Sequence, residues 1–241
     1  MIKKMIKNIF SLFGADIIRS SSIAERVKRR EFDWLRNMGI NSVIDVGAND
    51  GNFVRLIHTV LPEASIFSFE PLTNTYEELI KMTSHIKKVK YFNHALGDTD
   101  GETIIYHNEF SPSSSMLKVK DAHTVAFPYA KNVTEEKIVI KKLDSIIDEL
   151  ALIPKILLKI DVQGFEMTVL RGALNSLPIF DIIILEASFV ELYEGQPLFD
   201  EIYRFLTEHG FQFVGNLEQI TNPLNGRILQ ADSIFINMRN G

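Results

Sequence analysis

A glycine-containing loop between an apolar run and a helical pattern is the first segment whose residue types could do chemistry. In VIDVGANDGNF, Gly47 and Gly51 let the chain turn sharply and let its backbone approach a ligand closely. Asn49 stands where the dinucleotide-binding fingerprint needs its second glycine, and the loop lacks the lysine of a phosphate loop. Asp45 can orient the loop or bind a ligand ammonium group, and Asp50 adds a second negative charge. The loop therefore predicts a ligand without phosphate groups.

An acidic residue, Glu70, ends the next apolar run, SIFSFE. A carboxylate at the end of the second strand of such a unit can accept hydrogen bonds from both hydroxyls of a ribose. Together with the glycine loop, it indicates a nucleoside that bears an amino acid and no phosphate. S-adenosylmethionine fits that description, and we predict it as the cofactor.

A second acidic group follows two later apolar runs. Asp161 ends the strand-like KILLKID, Glu166 enters the next helix, and Glu186 ends the run DIIILE. We expect the three carboxylates to converge, with Asp161 as general base and Glu186 as the second candidate. Alternatively, they could bind a divalent metal such as Mg²⁺ that lowers the pKa of a hydroxyl group.

Some residues of this acidic group also have structural interpretations. Asp161 can cap a helix or anchor a loop, and an acid in the first turn of a helix, such as Glu166, stabilises the helix dipole without any chemistry. Lys159 lies two residues before Asp161 and therefore points to the same face of a sheet. We expect this lysine to be buried, to pair with an acid of the group and to act in the catalytic centre.

The elements that position these residues alternate between strand-like and helical patterns. From Asn41 onward, short apolar runs are separated by amphipathic segments, which predicts an α/β fold with a mostly parallel sheet and helices on both faces. VKYFNHAL is expected to form one strand, and EMTVLRGALNSL one helix. GETIIYH and EKIVIKKL are expected to pair as antiparallel additions. FQFVG and SIFINM have no helix between them, which predicts an antiparallel edge pair.

The chain before this alternation predicts a helical extension, so we divide it into an extension at 1–40 and a domain at 41–241. Residues 1–19 place apolar side chains on one helical face and lysines elsewhere. Such a helix can lie on an anionic membrane surface, or pack on its own domain or on a second subunit as in a homodimer. The following helix, AERVKRREFDWLRNM, is predicted to end at Gly39.

Composition excludes several classes of protein. The 241 residues include 26 Lys and Arg, 31 Asp and Glu, a net charge of -5 and no cysteine. No nucleic-acid partner is expected from that charge, and thiolate chemistry and Cys-ligated metals are excluded. No uncharged apolar run approaches the ~18 residues of a membrane span. We expect a cytoplasmic protein. The first helix also allows the alternative of peripheral contact with a membrane.

Taken in order, several segments resemble the FkbM family of class I S-adenosylmethionine-dependent methyltransferases. The resemblance rests on VIDVGANDGNF, FSFEPL, NHALGDTDGE, SPSSSM, KKLDSI and LLKIDVQGFEMTVLRGA, of which the last is the most specific. It implies a Rossmann-like, seven-stranded sheet with a reversed last hairpin. It also implies transfer of a methyl group to a hydroxyl of a sugar, glycan or related natural-product acceptor.

The resemblance further implies roles for individual positions. The residues that would line the methionine end of the cofactor are Asp45, Gly47, Asn49, Gly51, Asn52 and Phe53. Glu70, with the adjacent Pro71, would hold the ribose. Asn93, Ala95 and Leu96 would lie near the adenine, and Ser115 of the serine cluster would donate a hydroxyl to the cofactor.

Two other classes of function remain as alternatives. One is a non-catalytic cofactor-binding scaffold of the same fold, which the carboxylate group opposes. The other is a nucleotide-dependent oxidoreductase on a similar sheet, which the glycine spacing opposes.

Overall fold

The computed structural model of the protein describes residues 29–107 and 134–239. Residues 29–32 are helical and lead into a 3-10 helix, Asp33–Met38, which ends at Gly39 with a left-handed φ of 67°. The predicted end of this helix is therefore confirmed. The amphipathic segment 1–19 and Ser115 lie outside the described residues, so the predictions made for them stay predictions.

Ten strands and five helices follow in the described chain, joined by short 3-10 turns and loops. The strands are β1 Ser42–Val46, β2 Ser65–Phe69, β3 Val89–Phe92, β4 Ala95–Leu96, β5 Gly101–His107, β6 Thr134–Lys141, β7 Ile156–Ile160, β8 Ile182–Ser188, β9 Phe211–Thr221 and β10 Ile228–Asn237. The helices are α1 Asn52–Val60, α2 Thr73–Thr83, α3 Leu143–Ile146, α4 Glu166–Arg171 and α5 Phe199–Glu208.

Seven strands form the main sheet in the order β3-β2-β1-β7-β8-β10-β9. β10 runs antiparallel to both of its neighbours, β8 and β9. The other five strands of the main sheet, β3, β2, β1, β7 and β8, are parallel to one another. Strands β1 and β7 are buried along their whole length, as expected of central parallel strands covered on both faces. This order confirms the predicted α/β fold and its reversed last hairpin.

Two apolar cores lie on opposite faces of the main sheet. One contains Ile44, Phe69 and Leu158 and is covered by α4 and α5; the other contains Val43 and Leu157 and is covered by α1 and the 3-10 helix. Because side chains alternate along a strand, Asp45, Lys159 and Glu186 share a face with the second core. That alternation brings the predicted site residues to one face.

A smaller sheet, β4-β6-β5, lies beside the main one and changes two of the predicted elements. The predicted strand VKYFNHAL breaks after Phe92, because β4 leaves the main sheet to pair with β6. The predicted antiparallel pairing of β5 with β6 is confirmed. Helix α4 stops at Arg171, well before the predicted end. The next residue, Gly172, lies so close to β4 and its turn that an added Cβ would be 1.7 Å from the Gly97 carbonyl oxygen.

In the part of the chain that the structure describes, no helix combines the length and the apolar character needed to cross a membrane.

Candidate active site

The glycine loop after β1 is held close to the ends of β2 and β7. The N–H groups of Gly47 and Ala48 both donate to the Phe69 carbonyl oxygen at 3.0 Å. Gly47 has a left-handed φ of 81°, and a Cβ there would lie 1.9 Å from the Asp161 carbonyl oxygen. Only glycine satisfies both conditions, so this residue lets the loop contact the strand end that bears Asp161.

Glu70 is tied to the same loop by its carboxylate. Asn49, with a φ of 48°, donates its N–H to Glu70 Oε2 at 3.0 Å, and the Leu72 N–H donates to Oε1 at 3.0 Å. Burial raises the pKa of Glu70 to about 7, although both hydrogen bonds oppose that rise. The Asn93 amide closes the turn by donating to the carbonyl oxygens of Glu70 and Pro71.

Beneath the loop, Asp45 is 1% exposed and is the register partner of Ser68 on β2. Asp45 Oδ2 and Ser68 Oγ are buried and have no hydrogen-bond partner among the described residues. Burial raises the pKa of Asp45 to about 7, against the opposing charge of Lys159. The residues present therefore fit a ligand that brings N–H and O–H donors to this edge of the sheet.

A pocket of about 250 Å³ opens beside the loop and brings the two predicted groups together. The predicted residues in its wall are Gly47, Asn49, Asn52, Phe53, Lys159, Asp161 and Glu186. Phe32, from the helical segment before β1, also lines the pocket and contacts Phe53 edge-on, with 5.9 Å between the ring centroids. Asp45 and Glu70 do not line this pocket; they lie under and beside the loop.

Lys159 is a buried cation at the centre of the acidic group. Its Nζ lies 3.5 Å from Asp161 Oδ2 and 3.3 Å from Asp232 Oδ1. Burial alone would lower the pKa of Lys159, but the charges of Asp232 and Asp161 outweigh it and leave the pKa above its ordinary value. The predicted pairing with an acid of the group is confirmed, and Asp232 is an additional partner.

The Gln163 side chain links Asp161 to Glu186. Its Nε2 donates to Asp161 Oδ1 at 3.0 Å and to Glu186 Oε2 at 2.9 Å, and Gln230 Nε2 donates to the same Glu186 oxygen at 2.8 Å. Burial, together with repulsion from Asp161 and Glu166, raises the pKa of Glu186 well above its ordinary value.

Glu166 is buried and anchors the turn between β7 and α4. Its Oε1 accepts the N–H groups of Val162 at 3.3 Å and Gly164 at 3.0 Å. Burial raises its pKa to about 7 against these hydrogen bonds. Anchoring this turn is a structural role, although not the stabilisation of the helix dipole that the sequence offered as the alternative to catalysis, and Glu166 is not in the pocket wall.

The positions expected near the adenine lie at the junction of the two sheets. Leu96 is buried in the main core, and Ala95 is buried in the core of the smaller sheet with Leu72 and Ile105. Their side chains pack against the protein interior, while the Asn93 amide fixes the end of β2.

Among the pocket residues that sequence reasoning missed are one aromatic residue, Phe32, and three polar residues, Glu218, Gln230 and Asp232. An acid and an amide inside the otherwise apolar run ILQADSIFIN were the available signal for the last two. The antiparallel register of β10 places Asp232 opposite Glu186, a relation that the spacing along the chain does not show.

No group of three or more His, Cys, Asp or Glu side chains among the described residues is arranged to hold a metal ion. The predicted Mg²⁺ therefore finds no support in these residues.

Comparison with known proteins shows where this architecture belongs. The 2-O-methyltransferase NoeI of Sinorhizobium fredii is 28% identical over 162 residues, or 64% of this chain and 66% of that protein. The hexuronic acid methyltransferase AglP of Haloferax volcanii is 26% identical over 144 residues, or 59% of this chain and 54% of that protein. Each alignment spans less than two thirds of the relative's own length.

Among solved structures, precorrin-6y C5,15-methyltransferase of Geobacter metallireducens aligns with a TM-score of 0.43 and 12% identity, covering 92% of this chain and 90% of that one. A likeness at this level adds nothing to the strand order described above.

A model of the methyltransferase FkbM domain matches residues 45–213. That range begins at Asp45 and includes the glycine loop, Glu70, Lys159, Asp161 and Glu186. Because the match covers more than half of the chain, the protein belongs to the FkbM methyltransferase family, and family and fold together imply S-adenosylmethionine as the methyl donor.

Proposed function

We propose that the protein transfers a methyl group from S-adenosylmethionine to a hydroxyl of a sugar or glycan. The observation on which this rests is that one family match, 45–213, contains both the loop with Glu70 and the carboxylate pair of the pocket. The printed names of two relatives, a 2-O-methyltransferase and a hexuronic acid methyltransferase, support a sugar hydroxyl as the acceptor group.

On the donor side, Asp45, Ser68 and Glu70 would hold the cofactor. When bound, S-adenosylmethionine supplies a methyl carbon attached to a positively charged sulfur. Asp45 Oδ2 is a buried acceptor without a partner, and Glu70 retains lone pairs beyond its two backbone hydrogen bonds. Ammonium and ribose hydroxyl donors match these acceptors.

On the acceptor side, the pocket must orient a hydroxyl and take up its proton. Alignment is the larger task, because holding the hydroxyl in a near-attack geometry can lower the activation free energy by on the order of 7–11 kcal/mol in favourable cases. Asp161 and Glu186 both line the pocket and can accept a hydrogen bond from the hydroxyl. A base also helps, because a sugar hydroxyl is a weak nucleophile at neutral pH.

Two features support Glu186, rather than Asp161, as the proton acceptor. Both oxygens of Asp161 are engaged, Oδ1 by Gln163 and Oδ2 by Lys159, whereas no described group donates to Glu186 Oε1. Burial also raises the pKa of Glu186, which makes its carboxylate a stronger base than that of an ordinary glutamate. In this proposal Asp161 orients the hydroxyl and Glu186 Oε1 receives its proton.

The test is to incubate the full chain with methyl-labelled S-adenosylmethionine and p-nitrophenyl glycosides of neutral hexoses, deoxyhexoses and hexuronic acids. We expect S-adenosylhomocysteine to form in equal amount to a methyl ether that mass spectrometry finds on the sugar. The double variant Asp161→Asn, Glu186→Gln is the control and should form neither product. Release of no S-adenosylhomocysteine with any hydroxylated acceptor, despite cofactor binding, would contradict the proposal.

A further inference from the structure

Gln163, two residues after Asp161, has a backbone conformation that residues other than glycine rarely adopt. Its φ is 51°, and Gly164 follows with a φ of 98°. Such a conformation is unfavourable for a residue with a Cβ and persists only where its surroundings impose it. Here the imposing group is Glu166, whose buried carboxylate accepts the N–H groups of Val162 and Gly164 on either side.

The turn places the Gln163 carboxamide between two carboxylates. Nε2 donates to Asp161 Oδ1 at 3.0 Å and to Glu186 Oε2 at 2.9 Å, so both of its N–H groups are used. Oε1 accepts the Tyr193 hydroxyl at 2.8 Å. A rotated amide would turn its oxygen toward both carboxylates, so these contacts allow one orientation only.

Tyr193 is itself fixed by the fold. Its side chain is fully buried, and Gln196 Oε1 accepts the N–H groups of Leu192 and Tyr193 at 2.8 and 3.2 Å. Gln196 Nε2 in turn donates to Ser188 Oγ at 2.7 Å, at the end of β8. The donor that orients the Gln163 amide is therefore built into the loop after the Glu186 strand.

Two carboxylates held this close to one nitrogen repel each other unless positive charge lies between them. A bound cation commonly supplies that charge. Here the Lys159 ammonium supplies part of it from the Oδ2 side of Asp161, and the N–H groups of the neutral Gln163 amide lie between Asp161 Oδ1 and Glu186 Oε2. Among the described residues, the titratable groups bonded to the Gln163 amide are Asp161 after β7, Glu186 on β8 and Tyr193 in the following loop. Lys159 on β7, Glu166 on α4 and Asp232 on β10 act on those two carboxylates through their charges.

We propose that Gln163 is a positioning residue, oriented by Tyr193, whose amide takes the place of a cation between Asp161 and Glu186 and keeps both carboxylates turned to the pocket. The effect of Gln163 on methyl transfer rests on the function proposed above. The placement of its amide between the two carboxylates does not depend on that function, so the placement and the function can be tested separately.

The first experiment measures thermal unfolding of the full chain and needs no activity. Gln163→Glu replaces the amide donors with a third carboxylate, and Gln212→Glu adds the same charge at an exposed position of β9 as the control. Between about pH 6 and about pH 8, we expect the unfolding midpoint of Gln163→Glu to fall by roughly 5 °C more than that of the wild type. Millimolar MgCl₂ should recover much of that loss in Gln163→Glu and leave the wild type and Gln212→Glu unchanged.

The second experiment follows methyl transfer against pH. In Gln163→Glu the added carboxylate makes proton loss from Glu186 harder, so the acid limb of kcat should move to higher pH. Tyr193→Phe removes only the hydroxyl that orients the amide, and should lower kcat by about tenfold. The Kd of S-adenosylmethionine should change by less than about threefold in both variants, which a merely unfolded site would not allow.

The outcomes separate the two proposals. If Gln163→Glu unfolds like Gln212→Glu at both pH values and shows no response to MgCl₂, the amide does not keep the carboxylates apart and the inference fails. It also fails if both folded variants keep the wild-type kcat and acid limb. If the wild type transfers no methyl group to any acceptor, the proposed function fails, and the unfolding comparison still decides the role of Gln163.

Discussion

Glu186 and Asp161 line one pocket but have different surroundings. Glu186 is partly buried, and its pKa is raised by burial and by repulsion from Asp161 and Glu166. The Asp161 side chain is 40% exposed and lies 3.5 Å from the Lys159 ammonium. The same chemical group can therefore take a proton at one position and orient a substrate at the other.

We predict that Glu186→Gln lowers kcat by about 100-fold, the usual range for loss of a general base. Its amide oxygen can still accept from Gln163 and Gln230, so the fold and S-adenosylmethionine binding should remain. In the wild type, kcat should rise with pH as Glu186 loses its proton, because only the carboxylate can act as a base. Steady-state kinetics against pH should show that rise in the wild type and none in Glu186→Gln.

Asp161→Asn serves as the comparison for this prediction. It should lower kcat but leave the rise with pH in place. The opposite pattern, with the pH dependence kept in Glu186→Gln and lost in Asp161→Asn, would assign the proton to Asp161, as the sequence analysis expected.

At the scale of elements, the site depends on contact between the β1 loop and the end of β7. The Asp161 N–H donates to the Val46 carbonyl oxygen at 2.9 Å, and Gly47 passes against the Asp161 backbone. These contacts fix the distance between the glycine loop and the pocket carboxylates, and no side chain can be inserted there without moving one of the two elements.

We expect Gly47→Ala to destabilise the fold by more than about 3 kcal/mol, because the cost of a left-handed φ adds to the cost of a steric clash with the Asp161 backbone. Gly39→Ala is the matched control, because Gly39 also has a left-handed φ, 67°, but nothing lies within 4 Å of an added Cβ. It should cost about 1–2 kcal/mol. Chemical denaturation measures both, and equal losses would show that the contact with Asp161 is not the cause.

Much of the element order could be predicted from sequence, because fully apolar runs and amphipathic segments alternate with clear turn residues between them. The break at Asn93 could not, because β4 pairs with β6, a strand that comes much later in the chain. The close approach of Gly172, just after α4, to Gly97 likewise joins positions that are distant in sequence.

The site shows the same division. Glu70 and Asp161, which directly follow parallel strands, and Asp45, near the end of β1, could be selected as candidates because strand ends share one edge of the sheet. Gln230 and Asp232 lie on β10, which runs antiparallel to β8. On such a strand, residues at this edge of the sheet come before most of the apolar run rather than after it. Phe32 reaches the pocket from a helix that the sequence assigned to an extension outside the domain.

At the scale of the whole molecule, buried acids make stability depend on pH. Asp45, Glu70 and Glu166 have pKa values raised by burial to about 7, and that of Glu186 is also raised. Between their ordinary values near 4 and about 7, the folded protein binds more protons than the unfolded chain, so stability falls as pH rises. His94, whose pKa is lowered by burial to about 4, opposes this trend as a single group.

We therefore expect the cofactor-free protein to unfold at a lower temperature near pH 8 than near pH 5, with a loss on the order of a few kcal/mol. Differential scanning calorimetry across this range measures it. Asp45→Asn removes one of the titrating groups and should make the dependence shallower. A midpoint that rises steadily from pH 5 to pH 8 would show that these carboxyl groups are ionised without cost in the folded protein.

The most direct test of the central claim is calorimetric titration of S-adenosylmethionine into the wild type and into Glu70→Gln. We expect micromolar binding by the wild type and at least about tenfold weaker binding by Glu70→Gln, because the variant keeps an acceptor for one backbone N–H but loses the carboxylate for the ribose hydroxyls. Glu63→Gln, at a side chain that is 89% exposed, should bind like the wild type. A folded wild type that does not bind S-adenosylmethionine, or a Glu70→Gln variant that binds it equally well, would contradict the account.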